Sequence, residues 1–269
     1  MFKVLNGVGG ERAFKGAIIS ALALLAIFFV GIVVSLFTYT DWGIFVSALL
    51  SEEILFAIRL SITTATVATI ISILIAIPVA YAISQTEFPG KDIVDSMLDL
   101  PIVISPIALG ACLLVFFNTP IGDGIDDNIM KFVFAVPGII LAQITVISAL
   151  AIRLLKSTFD SIDPRYEQVG RTLGCSKPEA FLKITLPLAK NGLIAAGILT
   201  WARAVGEFGA TVTLAGATAM KTETLPVAIF LSLASADIEK AIAVIFVLVI
   251  IAVVALITMR KTIGRRYQI

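Results

Sequence analysis

Six long apolar runs alternate with shorter polar stretches along this chain. Each approaches the roughly 20 residues a helix needs to cross a hydrocarbon layer about 30 Å thick. The pattern predicts spans over 16–38, 54–83, 100–117, 132–155, 188–214 and 241–259. The first run is too long for a signal-peptide core and lacks a convincing small-residue cleavage site, so it is expected to be retained. The second has Arg59 near its start and Pro78 near its end, which predicts a tilted or kinked helix. Pro101 and Pro106 interrupt the third. A further apolar stretch, 224–234, is short for a crossing and suits a re-entrant or interfacial helix. The expected fold class is an all-α membrane protein with six transmembrane helices.

Composition agrees with that pattern. Of 269 residues, 59% are apolar and 14% charged, against about 25% charged in soluble domains. A net charge of +1 gives no basic field for nucleic acid, and the chain has no histidine, which removes the commonest metal ligand and general base. Cys112 lies in an apolar run and Cys175 in a polar one, a poor basis for a disulfide. No internal repeat or low-complexity tract is visible.

One polar segment between spans, 163–187, carries its own helix punctuation. Asp163 can cap a helix that begins with Pro164. Tyr166, Val169 and Leu173 form one apolar stripe at i, i+3 and i+7, with Arg165, Glu167, Gln168 and Arg171 on the remaining surface. Gly174 permits the reversal that ends this helix. Ser176-Lys177-Pro178-Glu179 reads as a capping box, predicting a second helix from about Lys177 toward Leu186. Pro187 marks a break or kink before the next run. Such a helix–glycine–helix knob has the composition of a docking element, and a solvated loop is the plain alternative.

Lysines and arginines are distributed unevenly. One set of loops holds Lys3, Arg12, Lys15, Lys91, Arg153, Lys156, Arg165, Arg171, Lys177, Lys183, Lys190, Arg260, Lys261, Arg265 and Arg266; the other holds Lys131, Lys221 and Lys240. This bias puts both termini and the knob in the cytoplasm. The opposite side carries Asp41, Glu52, Glu53, Asp123, Asp126, Asp127, Glu223, Asp237 and Glu239. These read as solvated loop charges, or as a rim that repels free anions.

The fifth span is the chemically loaded one. Arg203 and Glu207 lie four residues apart and can pair on one helical face. Thr200, Thr211 and Thr213 add hydroxyls, so the same stretch can line a polar path between helices. Gly206 and Gly209 would admit another helix closely.

Gly174 followed by Ile184-x-Leu186-Pro187 resembles the signature loop of permease subunits of ABC-type importers. Gln168-Val169-Gly170 stands where that family has Glu-Ala-Ala, with Glu167 one position earlier. Tyr166-Glu167, Arg171-Thr172-Leu173-Gly174, Gly206-Glu207-Phe208-Gly209-Ala210-Thr211 and Leu100-Pro101 with Ser105-Pro106 are similar to the molybdate/tungstate and sulfate branch. The resemblance implies a cytoplasmic N-tail over 1–15, a peripheral first span over 16–38, a permease core over 54–260 containing a coupling loop over 160–187, and a C-tail over 261–269. It also implies a multi-pass protein of the cell membrane that pairs with a second copy of itself. Two ATP-binding cassette subunits, which hold ATP and Mg, and an external oxyanion-binding protein would complete the assembly. The chain itself would carry no cofactor, metal or catalytic residue. Coupling to the ATPase falls on Tyr166, Glu167, Gln168, Val169, Gly170, Arg171, Leu173, Gly174, Ile184, Leu186 and Pro187. The path falls on Ser105, Thr200, Arg203, Glu207, Thr211 and Thr213. A secondary transporter would be expected to carry deep ionisable groups in several spans, whereas here only the fifth has a deep acid. No nucleophile–base or metal constellation suggests a membrane enzyme.

Overall fold

The structure, a computed structural model, describes residues 8–38 and 42–264. Lys3, Asp41, Arg265 and Arg266, which enter the charge count, lie outside the described residues, as do the outer parts of both expected tails. The described elements are helices. The chain begins with α1 (Val8–Thr38), α2 (Trp42–Leu49) and α3 (Glu52–Gln85). Next come α4 (Lys91–Leu98), α5 (Leu100–Val103), α6 (Pro106–Phe117), α7 (Pro120–Asn128) and α8 (Val136–Asp160). The knob holds α9 (Arg165–Thr172), α10 (Lys177–Ala180), a π-helical turn over Phe181–Thr185, and α11 (Leu186–Leu188). α12 (Lys190–Val205), α13 (Gly209–Ala215), α14 (Leu225–Ala234) and α15 (Ile238–Gly264) follow.

Among the described residues four helices, α1, α3, α8 and α15, are long and apolar enough to cross a membrane, and the number reaches six if each of two bent pairs is one span. α3 and α8 form the spine. Ala65, Ala68, Ala76 and Ala80 of α3 lie in the same buried clusters as Ile147, Ala151 and Leu155 of α8, small residues bringing the two axes close. α12 packs on α3, α8 and α15, α13 sits between α6 and α8, and α14 packs on α15 and α3. None of the apolar span of α1 is buried.

Two expected spans are broken. The run over 100–117 is not one straight crossing: α4–α5 and α6 meet at 109°. Pro106 disfavours helical geometry in its predecessor, so Ser105 is extended (φ −62°, ψ 144°) and its hydroxyl accepts from Ala108 N–H at 3.3 Å. Arg153 of α8 then ties this corner down, pairing with Asp95 at 2.6 Å and with Asp99. The run over 188–214 is interrupted between Val205 and Gly209. Its initial 70° bend falls at Ala189 rather than at Pro187. The helix continues through Pro187 because the preceding π turn, closed by Leu186 N–H donating to Phe181 O, absorbs the missing proline donor.

α2, α4 and α7 occupy stretches read as loops. The 224–234 segment is helical and inserted into the bundle: Leu225, Pro226, Val227 and Ala228 are buried, and Leu225 N–H donates to Ser61 Oγ at 2.7 Å. Two of the supposed rim acids turn inward. Asp126, 6% exposed, accepts from Phe132 and Val133 N–H at 2.6 and 3.0 Å and pairs with Lys131 at 2.8 Å. Glu223 is buried and accepts from Met220 N–H at 2.9 Å. Both close turns of the chain, so neither contributes to a solvated rim.

Candidate functional site

The knob forms from its sequence punctuation with two boundaries shifted: Pro164, not Asp163, stands at the N-cap of α9, and the second helical segment passes Pro187 to end at Leu188. Asp163 accepts from Arg165 N–H at 2.9 Å, just ahead of α9. At the other end Gly174 takes φ +96°, Gly174 N–H donates to Arg171 O and Cys175 N–H to Gly170 O, both at 3.1 Å. That pair of bonds is a Schellman closure, which needs a residue free of a Cβ at the reversal. The capping box is complete: Glu179 N–H donates to Ser176 Oγ at 3.4 Å, and Ser176 N–H to Glu179 Oε2 at 2.9 Å. The Ser176 N–H, its hydroxyl and the Lys183 ammonium together pull the Glu179 carboxyl down to about 2.

Tyr166, Val169 and Leu173 point outward, 58%, 57% and 81% exposed. Large apolar side chains in a row at that exposure have no packing role within the chain. The opposite side of α9 is locked. Tyr81 of α3 donates its hydroxyl to the Glu167 carboxylate at 2.8 and 3.0 Å, and Thr185 Oγ1 donates to it at 3.1 Å. Beneath them the rings of Tyr81, Phe159 and Phe181 cluster, with Tyr81 and Phe181 4.5 Å apart. Gly170 is buried against Ile184, whose Cδ1 lies 2.2 Å from where a Cβ would stand. Ile184 thus seats the two knob helices on each other. Gln168 and Arg171 are exposed, Leu186 is half-buried and Pro187 exposed.

The second constellation sits at the break in the fifth span. Arg203 Nη1 meets Glu207 Oε2 at 2.8 Å, the guanidinium 39% exposed and the carboxylate 1%. The other carboxylate oxygen accepts from Ala210 N–H at 3.0 Å, so Glu207 also holds the start of α13. Gln143 of α8 donates to Ala204 O at 3.1 Å and fixes the end of α12. Gly209 lies close under Pro106 and Ile107, as expected of a small residue at a helix contact, while Gly206 is exposed with no close neighbour helix. Thr200 and Thr211 are completely buried with unpartnered hydroxyls. They are enclosed within the protomer and do not line its surface. Thr213 is half-buried and bonds back to Gly209 O at 2.7 Å. Ser105 is exposed as the α6 cap.

Tyr81, Thr185 and Gln143 were missed by sequence reasoning. Tyr81 and Glu167 are 86 residues apart, and nothing in either local pattern announces the other.

A family model described as "binding-protein-dependent transport system inner membrane component" matches residues 72–263, from within α3 to the end of α15. The chain belongs to that family. The permease is 37% identical over 207 residues to a probable molybdenum ABC transporter permease of Haloferax volcanii, covering 77% of this chain and 75% of the relative. It is 35% identical over 176 residues to the molybdate/tungstate transport permease of Thermococcus kodakarensis, covering 65% and 67%. It is 34% identical over 172 residues to a sulfate transport permease of Synechococcus elongatus, covering 63% and 60%. Its fold matches the bacterial alginate ABC transporter with a TM-score of 0.74 at 18% identity, covering 97% and 96% of the two chains.

Proposed function

We propose that the permease is the membrane-spanning subunit of an ATP-driven molybdate or tungstate importer, with the knob as its coupling element. Two copies would form the path, two separate ATP-binding subunits would engage the knobs, and an external binding protein would deliver the anion. The observation that carries this reading is the outward stripe of Tyr166, Val169 and Leu173 on a base locked by Glu167 and Tyr81. A solvated loop has no reason to hold three large apolar side chains outward on so rigid a mount. Molybdenum and molybdate/tungstate relatives support the substrate class. The sulfate relative supports sulfate or thiosulfate as the second reading. The bias of lysine and arginine supports a cytoplasmic knob and cytoplasmic termini.

ATP and Mg belong to the partner subunits. As those subunits close, the two knobs are drawn together, and the Tyr81–Glu167 lock carries the motion into α3. Weak, transient contacts suit a passing oxyanion, since tight binding at mid-depth would prevent release. Arg203 keeps part of its guanidinium exposed while Glu207 neutralises it, which moderates its hold on an anion. The test is purification from the native membrane in mild detergent, with and without deletion of residues 164–174. Co-purification of an ATP-binding protein that is lost on deletion, followed by molybdate or tungstate uptake in reconstituted vesicles, is expected. A chain that emerges alone in both preparations overturns the reading.

A further inference from the structure

The acids of the knob are all engaged within the chain, while several of its cations are not. Glu167 is held by Tyr81 and Thr185, Glu179 by Ser176 and Lys183, and Asp163 by Arg165 N–H. Among the described residues the side chains of Arg165, Arg171 and Lys177 make no hydrogen bond or ion pair. Arg171 and Lys177 border a cleft of about 180 Å³ whose other walls are Tyr81, Gln85, Pro164, Glu167 and Gln168. The cleft therefore offers two unspent cations beside a carboxylate that is already satisfied.

Resting on the function proposed above, we propose that this cleft seats a carboxylate side chain of the ATP-binding subunit, gripped by Arg171 and Lys177. Helical geometry constrains the shape of that partner. At about 100° per residue, Arg171 lies roughly opposite the Tyr166–Val169–Leu173 stripe on α9. A surface that reaches both must therefore be concave and wrap the helix, apolar along one wall and acidic along the other. Glu167 is excluded as the ionic contact, because withdrawing it would break its hydrogen bonds from two donors, the hydroxyls of Tyr81 and Thr185. The cleft is continuous with the docking helix itself, which favours a protein carboxylate over a lipid headgroup.

The experiment measures retention of the ATP-binding subunit by the purified complex as salt rises from roughly 0.1 to 1 M, where the screening length falls from about 10 to 3 Å. Wild type is compared with the neutral pair Arg171→Gln/Lys177→Gln and the reversed pair Arg171→Glu/Lys177→Glu. The neutral pair should weaken binding about tenfold at low salt and flatten its salt dependence, as expected for lost charge complementarity. The reversed pair should lose the partner at low salt. Thermal unfolding of each isolated permease should match wild type; if the reversed pair fails to fold, the neutral pair still decides. Equal retention of the subunit by all three forms overturns the carboxylate seat but leaves the function standing. A wild-type permease that holds no ATP-binding subunit overturns the function itself. Repeating the comparison in nanodiscs of neutral lipid should give the same loss, and a loss seen only with anionic lipid would assign the cations to headgroups and overturn the proposal.

Discussion

The knob and the break in the fifth span treat their polar groups in opposite ways. In the knob the carboxylates of Glu167, Glu179 and Asp163 all have donors, and what is left without partners, the apolar stripe and the cations Arg165, Arg171 and Lys177, lies exposed. At the break, Glu207 is satisfied by Arg203 and Ala210 N–H, yet the hydroxyls of Thr200 and Thr211 and the amide oxygen of Gln143 are buried without partners. An unmet buried polar atom costs about 1–3 kcal/mol, and a rearrangement that supplies a partner recovers part of it. The contrast teaches that the two regions answer different demands. A satisfied network holds one shape, as a lever's handle must. A break with unmet hydroxyls has less to lose by shifting.

Substitutions in each region separate these two characters, beginning with the largest effect. Glu207→Leu strands the Arg203 charge and an α13 N–H, and should lower stability by about 3 kcal/mol or more in detergent unfolding. Removing both charges with Arg203→Leu/Glu207→Leu should restore part of that loss. If the single change leaves unfolding untouched, the pair does not hold the break. Tyr81→Phe keeps the ring cluster but removes a hydrogen bond to a charged group, worth about 1.5–3 kcal/mol. Faster proteolysis confined to the knob is expected, together with ATP hydrolysis that outruns transport. Unchanged proteolysis and coupling would mean that the knob does not act through α3.

The smallest effect is a pH dependence at the second knob helix. The folded Glu179 carboxyl sits at about 2, below its ordinary 4.5. Its contribution is therefore complete above 4.5 and is lost as pH falls from there through about 2. Hydrogen exchange at Ser176 and Glu179 should lose relative protection across that window in wild type. In Glu179→Gln the relative protection should be flat.

How much of this was readable depended on whether the cause lay nearby in the chain. The spans that became α3, α8 and α15 follow from run length and hydropathy, and the capping box and the glycine closure follow from residues within a few positions of one another. The 109° corner at Ser105 was marked by Pro106, but a proline signals interruption without setting the angle. Ile93, Val94 and Met97 recur at helical spacing, but the eight residues of α4 are too few and too polar to stand out as an apolar run. Asp126 and Glu223 looked like rim charges because their backbone donors exist only once turns at Phe132–Val133 and Met220 have formed. The pairing of Arg203 with Glu207 was visible from spacing, whereas the interruption between Val205 and Gly209, which gives Glu207 its second role, was not. Tyr81 reaches Glu167 only through the tertiary fold.

The most direct test of the coupling role is site-specific crosslinking. Val169→Cys in a Cys112→Ser/Cys175→Ser background would carry a short photoactivatable thiol reagent in native membranes. Ile121→Cys, 72% exposed on α7, would serve as the distant control. Position 169 should give an adduct with an ATP-binding subunit and position 121 none. An adduct from 121 with none from 169 would contradict the coupling role.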